Sequence, residues 1–457
     1  MALNYCPACF EKQRQIDDLK EEVRLLKDRL RYQERTIAEG PFGSSTPSSK
    51  VPIKPSSLPE RQAKKGGGRP GHVGHGRGSL DQRQADRVQD VPAPQCCPDC
   101  RHVLEGKGHR ERSVLDCPPV RVEKVLYRLE RKRCPNCGKV IQAQAPQVLP
   151  KCQYGNGAMA YFAVQHYLHG QTLGQLERQT GIGYSSIIDA LRQLGRRLES
   201  VPDELLREYR NASVMHADET SWRTDGGNGY AWLFCTEDLS LFRFRKTRSA
   251  SVALEVLGKG PLGGVLVVDR YGGYNRAPCK MQYCYAHLLR DLKDIEKEFP
   301  DHPEVRQFVE ALAPLLGSAM GLRGLKLPRR AFARQATTLR DQIVATVNQP
   351  ARHPAIQSFQ DIFRHKAHRL YHWADDAAVP ADNNLAEREL RPLVVARKIS
   401  FGSQSDAGAH TREVLMTILH TLRKRTSDPA AAFKAALDQL AQDPHADPFA
   451  LLFPKPP

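Results

Sequence analysis

The sequence predicts an α/β protein built of several domains, and three observations carry that expectation. Two apolar runs, Val214-Met215-His216-Ala217-Asp218 and Gly264-Val265-Leu266-Val267-Val268-Asp269, each stop at an aspartate. Runs of this kind suit central strands buried on both faces. Stretches of helical period flank them. The composition also shifts abruptly along the 457 residues, a length with room for roughly three domains.

The formal net charge is +17, which suits a polyanionic partner, nucleic acid first. No apolar run approaches the roughly 18 residues of a membrane span. Met1 to Cys9 has neither the basic flank nor the apolar stretch of a signal peptide, so a cytoplasmic protein is expected. The 12 cysteines then read as thiols or metal ligands rather than disulfides.

Residues 1–40 carry Ile16, Val23, Leu30 and Ile37 at heptad spacing, with Leu19 and Leu26 between them. This pattern predicts a short coiled coil and a homo-oligomer; one amphipathic helix packed on its own chain is the alternative. Cys6 and Cys9 form a lone C-x-x-C and are not expected to bind metal. Residues 41–90 are rich in Pro, Gly, Ser and Lys, and read as a basic disordered linker. Its centre holds Gly68-Arg69-Pro70-Gly71-His72, and such an arm can enter a minor groove, with Arg69 as the contact.

In residues 91–150 two knuckles, Cys97/Cys100 and Cys134/Cys137, flank strand-like residues from Val120 to Arg133. Four thiolates so arranged predict a zinc ribbon holding one Zn2+. Cys96 could compete as a ligand, and Cys117 reads as an ordinary buried thiol. Residues 151–212 read as a helix-turn-helix region turning at Gly181. Ser185 and Ser186 open its second helix, and Arg192, Arg196 and Arg197 extend its basic character. An ordinary helical hairpin is the alternative.

Residues 213–300 form the first part of the sheet domain. Strands are expected at Tyr230 to Thr236 and Leu239 to Phe244, then a helix from Ser249 to Leu257, the Asp269 strand, and a helix opening near Tyr283 and running towards Phe299. The two aspartates fall on adjacent central strands of a mixed sheet. Two rim aspartates in a basic chain suggest a divalent metal site. Residues 301–376 read as a helical insertion, 377–426 as the second part of the core, and 427–457 as a C-terminal helix and tail.

A third acid, Glu387, sits in the first turn of a helix beginning near Asn384. It could be a metal ligand, or only the reciprocal carboxylate of a capping box with Asn384. Arg391 and Lys398 share its helical face, and Pro392 is expected to kink or end the helix. Glu219 and Glu389 are expected to point away from the acids.

The stretches Gly68-Arg69-Pro70-Gly71-His72, His216-Ala217-Asp218-Glu219-Thr220, Cys284-Tyr285-Ala286-His287-Leu288-Leu289-Arg290, Asn383-Asn384-Leu385-Ala386-Glu387-Arg388 and Arg397-Lys398 resemble the transposases of the insertion-sequence-66 family. The resemblance covers nearly the whole chain. It implies an RNase H-like catalytic core with an Asp-Asp-Glu triad, by match of motif Asp218, Asp269 and Glu387, using Mg2+ or Mn2+. It also implies DNA contacts by His287, Arg290, Arg397 and Lys398, element ends and target DNA as partners, small accessory proteins, and work on bacterial nucleoid DNA. Leu289 stands where a second arginine is expected, and Ile399-Ser400 where an asparagine and an aromatic are more usual. The alternatives are a nuclease or resolvase that cuts without joining, and a repressor without catalysis.

Overall fold

The computed structural model describes residues 140–454 continuously, with scattered residues between Lys12 and Cys137. The chain divides into two compact units, Thr46–Arg121, and Met1–Ser45 with Val122–Pro457. In the first unit, Cys96 pairs with Val103 in an antiparallel bridge, and Asp99 and Cys100 lie in a turn between them. Arg69, Cys97 and Cys117 lie outside the described residues, as do Cys6, Cys9, Ile37 and Cys134.

In the second unit, the described residues from Lys12 to Leu30 are helical, and Ile16, Leu19, Val23, Leu26 and Leu30 are exposed. Further on, β1 (Arg131–Arg133) and β2 (Val140–Gln142) pair as an antiparallel hairpin, with Pro135 to Cys137 in its turn. The strand expected from Val120 is thus short, because Val122 to Glu130 has no regular structure. Cys96, Cys100 and Cys137 are exposed free thiols.

Between residues 150 and 213, four α-helices lead into the sheet: α1 (Asn156–Ala163), α2 (Leu173–Thr180), α3 (Tyr184–Arg197) and α4 (Val201–Arg210). A capping box between Thr172 and Gln175 starts α2. Gly181, at φ +68°, ends it with a left-handed cap that other residues adopt less readily. After two intervening residues α3 begins, burying Ile187, Leu191 and Leu194 along one face. The expected helix, tight turn and helix are present.

The sheet has five strands in the order β5-β4-β3-β6-β7. They are β3 (Val214–Thr224), β4 (Gly227–Cys235), β5 (Ser240–Arg245), β6 (Val265–Val268) and β7 (Lys280–Tyr283). The first three pair antiparallel, whereas β6 lies parallel to β3 and β7 parallel to β6. A mixed sheet with β3 and β6 adjacent is what the two apolar runs predict. Two details differ. β3 runs on for six residues past Asp218, so this acid lies mid-strand rather than at a strand end. β7 was not expected: it is four residues long, and Lys280 and Gln282 break its apolar pattern.

Helix α5 (Ala250–Leu257) joins β5 to β6, and α6 (Tyr285–Glu298) follows β7. The segment expected as an insertion is helical: α7 (Pro303–Leu322), α8 (Arg329–Val347), α9 (Pro354–Lys366) and α10 (His372–Asp375). Contrary to the reading of the sequence, residues 303–325 are long and apolar enough to cross a membrane by length and composition alone. Val305, Phe308, Leu312 and Leu316 are nevertheless buried in the core, so α7 packs as a helix of this fold.

The chain ends in α11 (Asn384–Ser400), α12 (Asp406–Arg425), α13 (Pro429–Gln442) and α14 (Pro448–Leu452). Pro392 does not end α11, which continues for two further turns to Ser400. Helix α12 covers the free edge of β5. The backbone N–H groups of Phe244, Phe242 and Ser240 donate to Glu413 Oε2 (3.1 Å), Thr417 Oγ1 (3.0 Å) and Thr421 Oγ1 (3.1 Å). The match is geometric: four residues of helix rise about 6 Å and two residues of strand about 6.8 Å. Side chains thus replace the next strand and close an edge that could otherwise pair with another chain.

Thr417→Val keeps the shape but strands the buried Phe242 N–H. Urea unfolding should show a loss of about 1–3 kcal/mol, and Thr417→Ser should lose much less.

Candidate active site

The site is built where β3, the end of β6, and the starts of α6 and α11 meet. His216 pairs with Val267 across β3 and β6, so the same register brings Asp218 level with Asp269. Asp218 Oδ1 accepts from the Glu219 N–H (2.8 Å), and Asp269 Oδ1 from the Tyr271 N–H (2.9 Å). The third acid arrives on the first turn of α11. Burial pushes the Asp218 carboxyl well above the usual carboxylate range, reinforced by the charges of Glu219, Asp269 and Glu387. The three acids singled out in the sequence are therefore electrostatic neighbours.

Asn383 places the third acid. Its Nδ2 donates to Ala217 O (2.9 Å), and its Oδ1 lies 2.9 Å from His216 Nδ1. Burial lowers the pKa of His216 to about 4, so this ring is neutral and donates from Nδ1. The Asn383 N–H donates to Cys284 Sγ at 3.1 Å. Asn383 is also the residue at the start of α11, and its side chain caps nothing. This rules out the capping box: with Asn383 rather than Asn384 at the cap, Glu387 is one residue too far along. Instead, Glu387 Oε1 and His287 Nδ1 are both buried without a hydrogen-bond partner, 3.8 Å apart. Burial lowers the pKa of His287, on the first turn of α6. Cys284, His287 and Glu387 each offer a ligand atom within 4.8 Å of the others. Burial pushes the Cys284 thiol up to about 12.

Glu219 does not point away from the acids. Arg248 donates to its Oε1 through Nη2 (2.6 Å) and Nε (2.9 Å), and the Tyr274 hydroxyl to its Oε2 (2.5 Å). Burial and the charge of Asp269 still raise its pKa to about 7, against the pull of Arg248. Glu389 is also buried, where Arg423 donates to it at 2.9 Å and Ser240 at 3.3 Å. It fixes α11 to α12 and β5 and does not face solvent. The expectation failed for Glu219, which lies beside the acids, whereas Glu389 points away from them, into a buried pair with Arg423.

The expected DNA contacts divide into two groups. Ser185, Arg196, Arg290, Arg391 and Lys398 are exposed, and Ser186 and Arg192 are partly so. His287 belongs to the acid cluster. Arg197 is engaged instead by Pro444 O (3.3 Å), and Arg397 by Thr220 Oγ1 (3.0 Å) and Ser221 O (2.9 Å). Reading the sequence missed Asn383, His216, Arg248 and Tyr274 as parts of the site. The first two lie in stretches singled out for their neighbours. Nothing local marks Arg248, in a polar turn.

Residues 151–411 match the family described as Transposase IS66 family. The chain belongs to that family. The matched region contains β3 to β7, α6 to α11 and all three acids. The chain is also similar to two uncharacterized proteins of Sinorhizobium fredii. One, y4qI, is 25% identical over 413 residues, 81% of this chain and 75% of the relative. The other, y4jD, is 26% identical over 400 residues, 76% of this chain and 75% of the relative.

The raised acids give a pH dependence with a definite sign. Folded Asp218 and Glu219 hold protons that the unfolded chain has released, so their stabilising effect is complete below about pH 4. It drains away as pH rises, through about 7 for Glu219. In metal-free buffer Asp218→Asn should therefore raise the melting temperature at pH 8, and by less at pH 5. An equal shift at both values would contradict the charge cluster.

Proposed function

We propose that this transposase-family chain binds the ends of an insertion sequence, cleaves DNA there and joins the freed end to target DNA. One observation supports the reading: Asp269 and Glu387, on other elements, are near enough for their charges to raise the Asp218 pKa, and a Glu387 oxygen is buried without a hydrogen-bond partner. Carboxylates that repel one another around a partnerless Glu387 oxygen fit a hard divalent cation. Asp218, Asp269 and Glu387 would hold Mg2+, or Mn2+ in its place, supplying positive charge against the attacking and leaving oxygens of a phosphodiester displacement.

The remaining steps fall to the chain's own residues. The N–H groups of Glu219 and Tyr271 fix the two aspartates, and Asn383 fixes the start of α11 behind Glu387. The Arg248 and Tyr274 cage holds Glu219 beside Asp269. The strand order, with acids on β3 and just after β6, supports an RNase H-like core interrupted by the 301–376 helices.

The outer parts complete the proposal. Ser185, Ser186 and Arg196 on α3 meet the element ends, while Arg290, Arg391 and Lys398 meet phosphates. By their paired spacing in the sequence, Cys97, Cys100, Cys134 and Cys137 are assigned to hold Zn2+ in a ribbon. The exposed apolar seam in residues 1–40 joins copies of the chain, and the Arg69 arm follows DNA. The protein works on nucleoid DNA in the bacterial cytoplasm, with accessory proteins of the same element.

Asp218→Asn, Asp269→Asn and Glu387→Gln should each abolish magnesium-dependent cleavage and strand transfer while leaving DNA binding intact. Robust joining by any one of them removes that residue from the proposed triad.

A further inference from the structure

A second site lies away from the acids, between α2, α3 and the ends of α11 and α12. It is a half-open cavity of about 280 Å³ whose walls include Gln171, Tyr184, Arg192, Ile399 and Arg412. Arg412 is buried, with 6% of its surface exposed. Its guanidinium lies over the rings of Tyr167 (5.0 Å) and Trp222 (5.3 Å). Among the described residues no carboxylate pairs with it. Its nitrogen partner is His166 Nε2 at 3.1 Å, and the His166 Nδ1–H is spent on Gln171 O (2.8 Å), so this imidazole is a neutral acceptor and no counter-ion. A desolvated cation without a counter-ion is strongly disfavoured.

The same cavity holds further unmet polar groups. Arg192 Nε and Gln171 Oε1 are buried without partners. Among the described residues, the acid that pairs with Arg192 is Asp189, at a loose 3.5 Å. Two arginines and a glutamine thus line a space to which no acidic side chain contributes a wall. Ile188, Leu191 and Ile399 give it an apolar side, larger than a phosphate alone requires. Tyr184, 46% exposed, stands at the first turn of α3, where a base can stack.

We propose that this cavity takes one nucleotide of a DNA strand, with its phosphate between Arg192 and Arg412 and its sugar and base on the apolar side. The assignment to DNA rests on the function proposed above; the need for an anion does not. Phosphate with an attached apolar body is the chemistry the walls recognise, and guanidinium pairs suit it better than ammonium groups do.

Melting of the full chain in magnesium-free buffer tests the site without involving cleavage. The probes are thymidine monophosphate, thymidine, inorganic phosphate and single-stranded oligodeoxythymidylate. Thymidine monophosphate should raise the melting temperature, phosphate should do so less, and thymidine should have no effect. Arg192→Gln, at a half-exposed position that spares folding, should weaken the apparent affinity for thymidine monophosphate at least about tenfold, or 1.4 kcal/mol. Arg412→Lys, which keeps the charge but loses the planar fork, should weaken it as well. No response in the wild-type chain, or an equal response in both variants, overturns the site. Oligodeoxythymidylate should compete with the monophosphate; binding of the monophosphate without such competition overturns the DNA strand as occupant. Loss of the cleavage reading leaves these shifts untouched, and absent shifts leave the triad untouched.

Discussion

One side chain holds the candidate site in register. Asn383 bonds to His216 and Ala217, 167 and 166 positions away, and its backbone bonds to Cys284, 99 positions away. All of these groups are buried, so none can turn to water if the asparagine is lost. Buried polar groups must be paired, and here the pairing rule becomes a positioning device. It seats the start of α11 against β3 and β7, and the first turn of that helix then delivers Glu387 beside the two aspartates. The neighbouring bond from the Tyr285 N–H to Ala381 O, 2.8 Å, fastens the same junction.

The second constraint is electrostatic. Asp218, Glu219, Asp269 and Glu387 gather in one region of low solvent access, and the chain neutralises only part of that charge. Arg248 and Tyr274 direct their hydrogen bonds to Glu219. The others repel, and burial together with this repulsion raises the pKa of Asp218. An arrangement so costly to folding is more readily understood as a cation site than as architecture. The opposite imbalance appears around Arg412 and Arg192, where two cations meet only the loose ion pair of Arg192 with Asp189 among the described residues. Proposed anion and cation sites thus lie in separate parts of one unit, each marked by charge the fold leaves uncompensated.

Much of this was legible in the sequence where the signal was local. The runs ending at Asp218 and Asp269 announce buried strands because hydrophobic period and length agree. Gly181 marks the turn between α2 and α3 because few other residues take a left-handed cap. What escaped was set by contacts across the chain. The four residues of β7 are a strand only because β6 lies beside them. Glu219 and Glu389 were assigned faces by alternation and helical angle alone, yet Arg248 and Arg423 draw both into buried pairs. The capping box at Asn384 was a sound local pattern, overruled when Asn383 was recruited by β3. Pro392 failed to end α11 because packing on β3 and β4 outweighs one missing backbone bond.

The central claim is that Asp218, Asp269 and Glu387 share a divalent cation. Its most direct test replaces Mg2+ with Fe2+ and maps oxidative cuts in the protein backbone with ascorbate and peroxide. The account predicts cuts clustered near residues 218, 269 and 387 together, suppressed by excess Mg2+. Cuts at the two aspartates that spare the start of α11, or cuts that Mg2+ does not suppress, would contradict it.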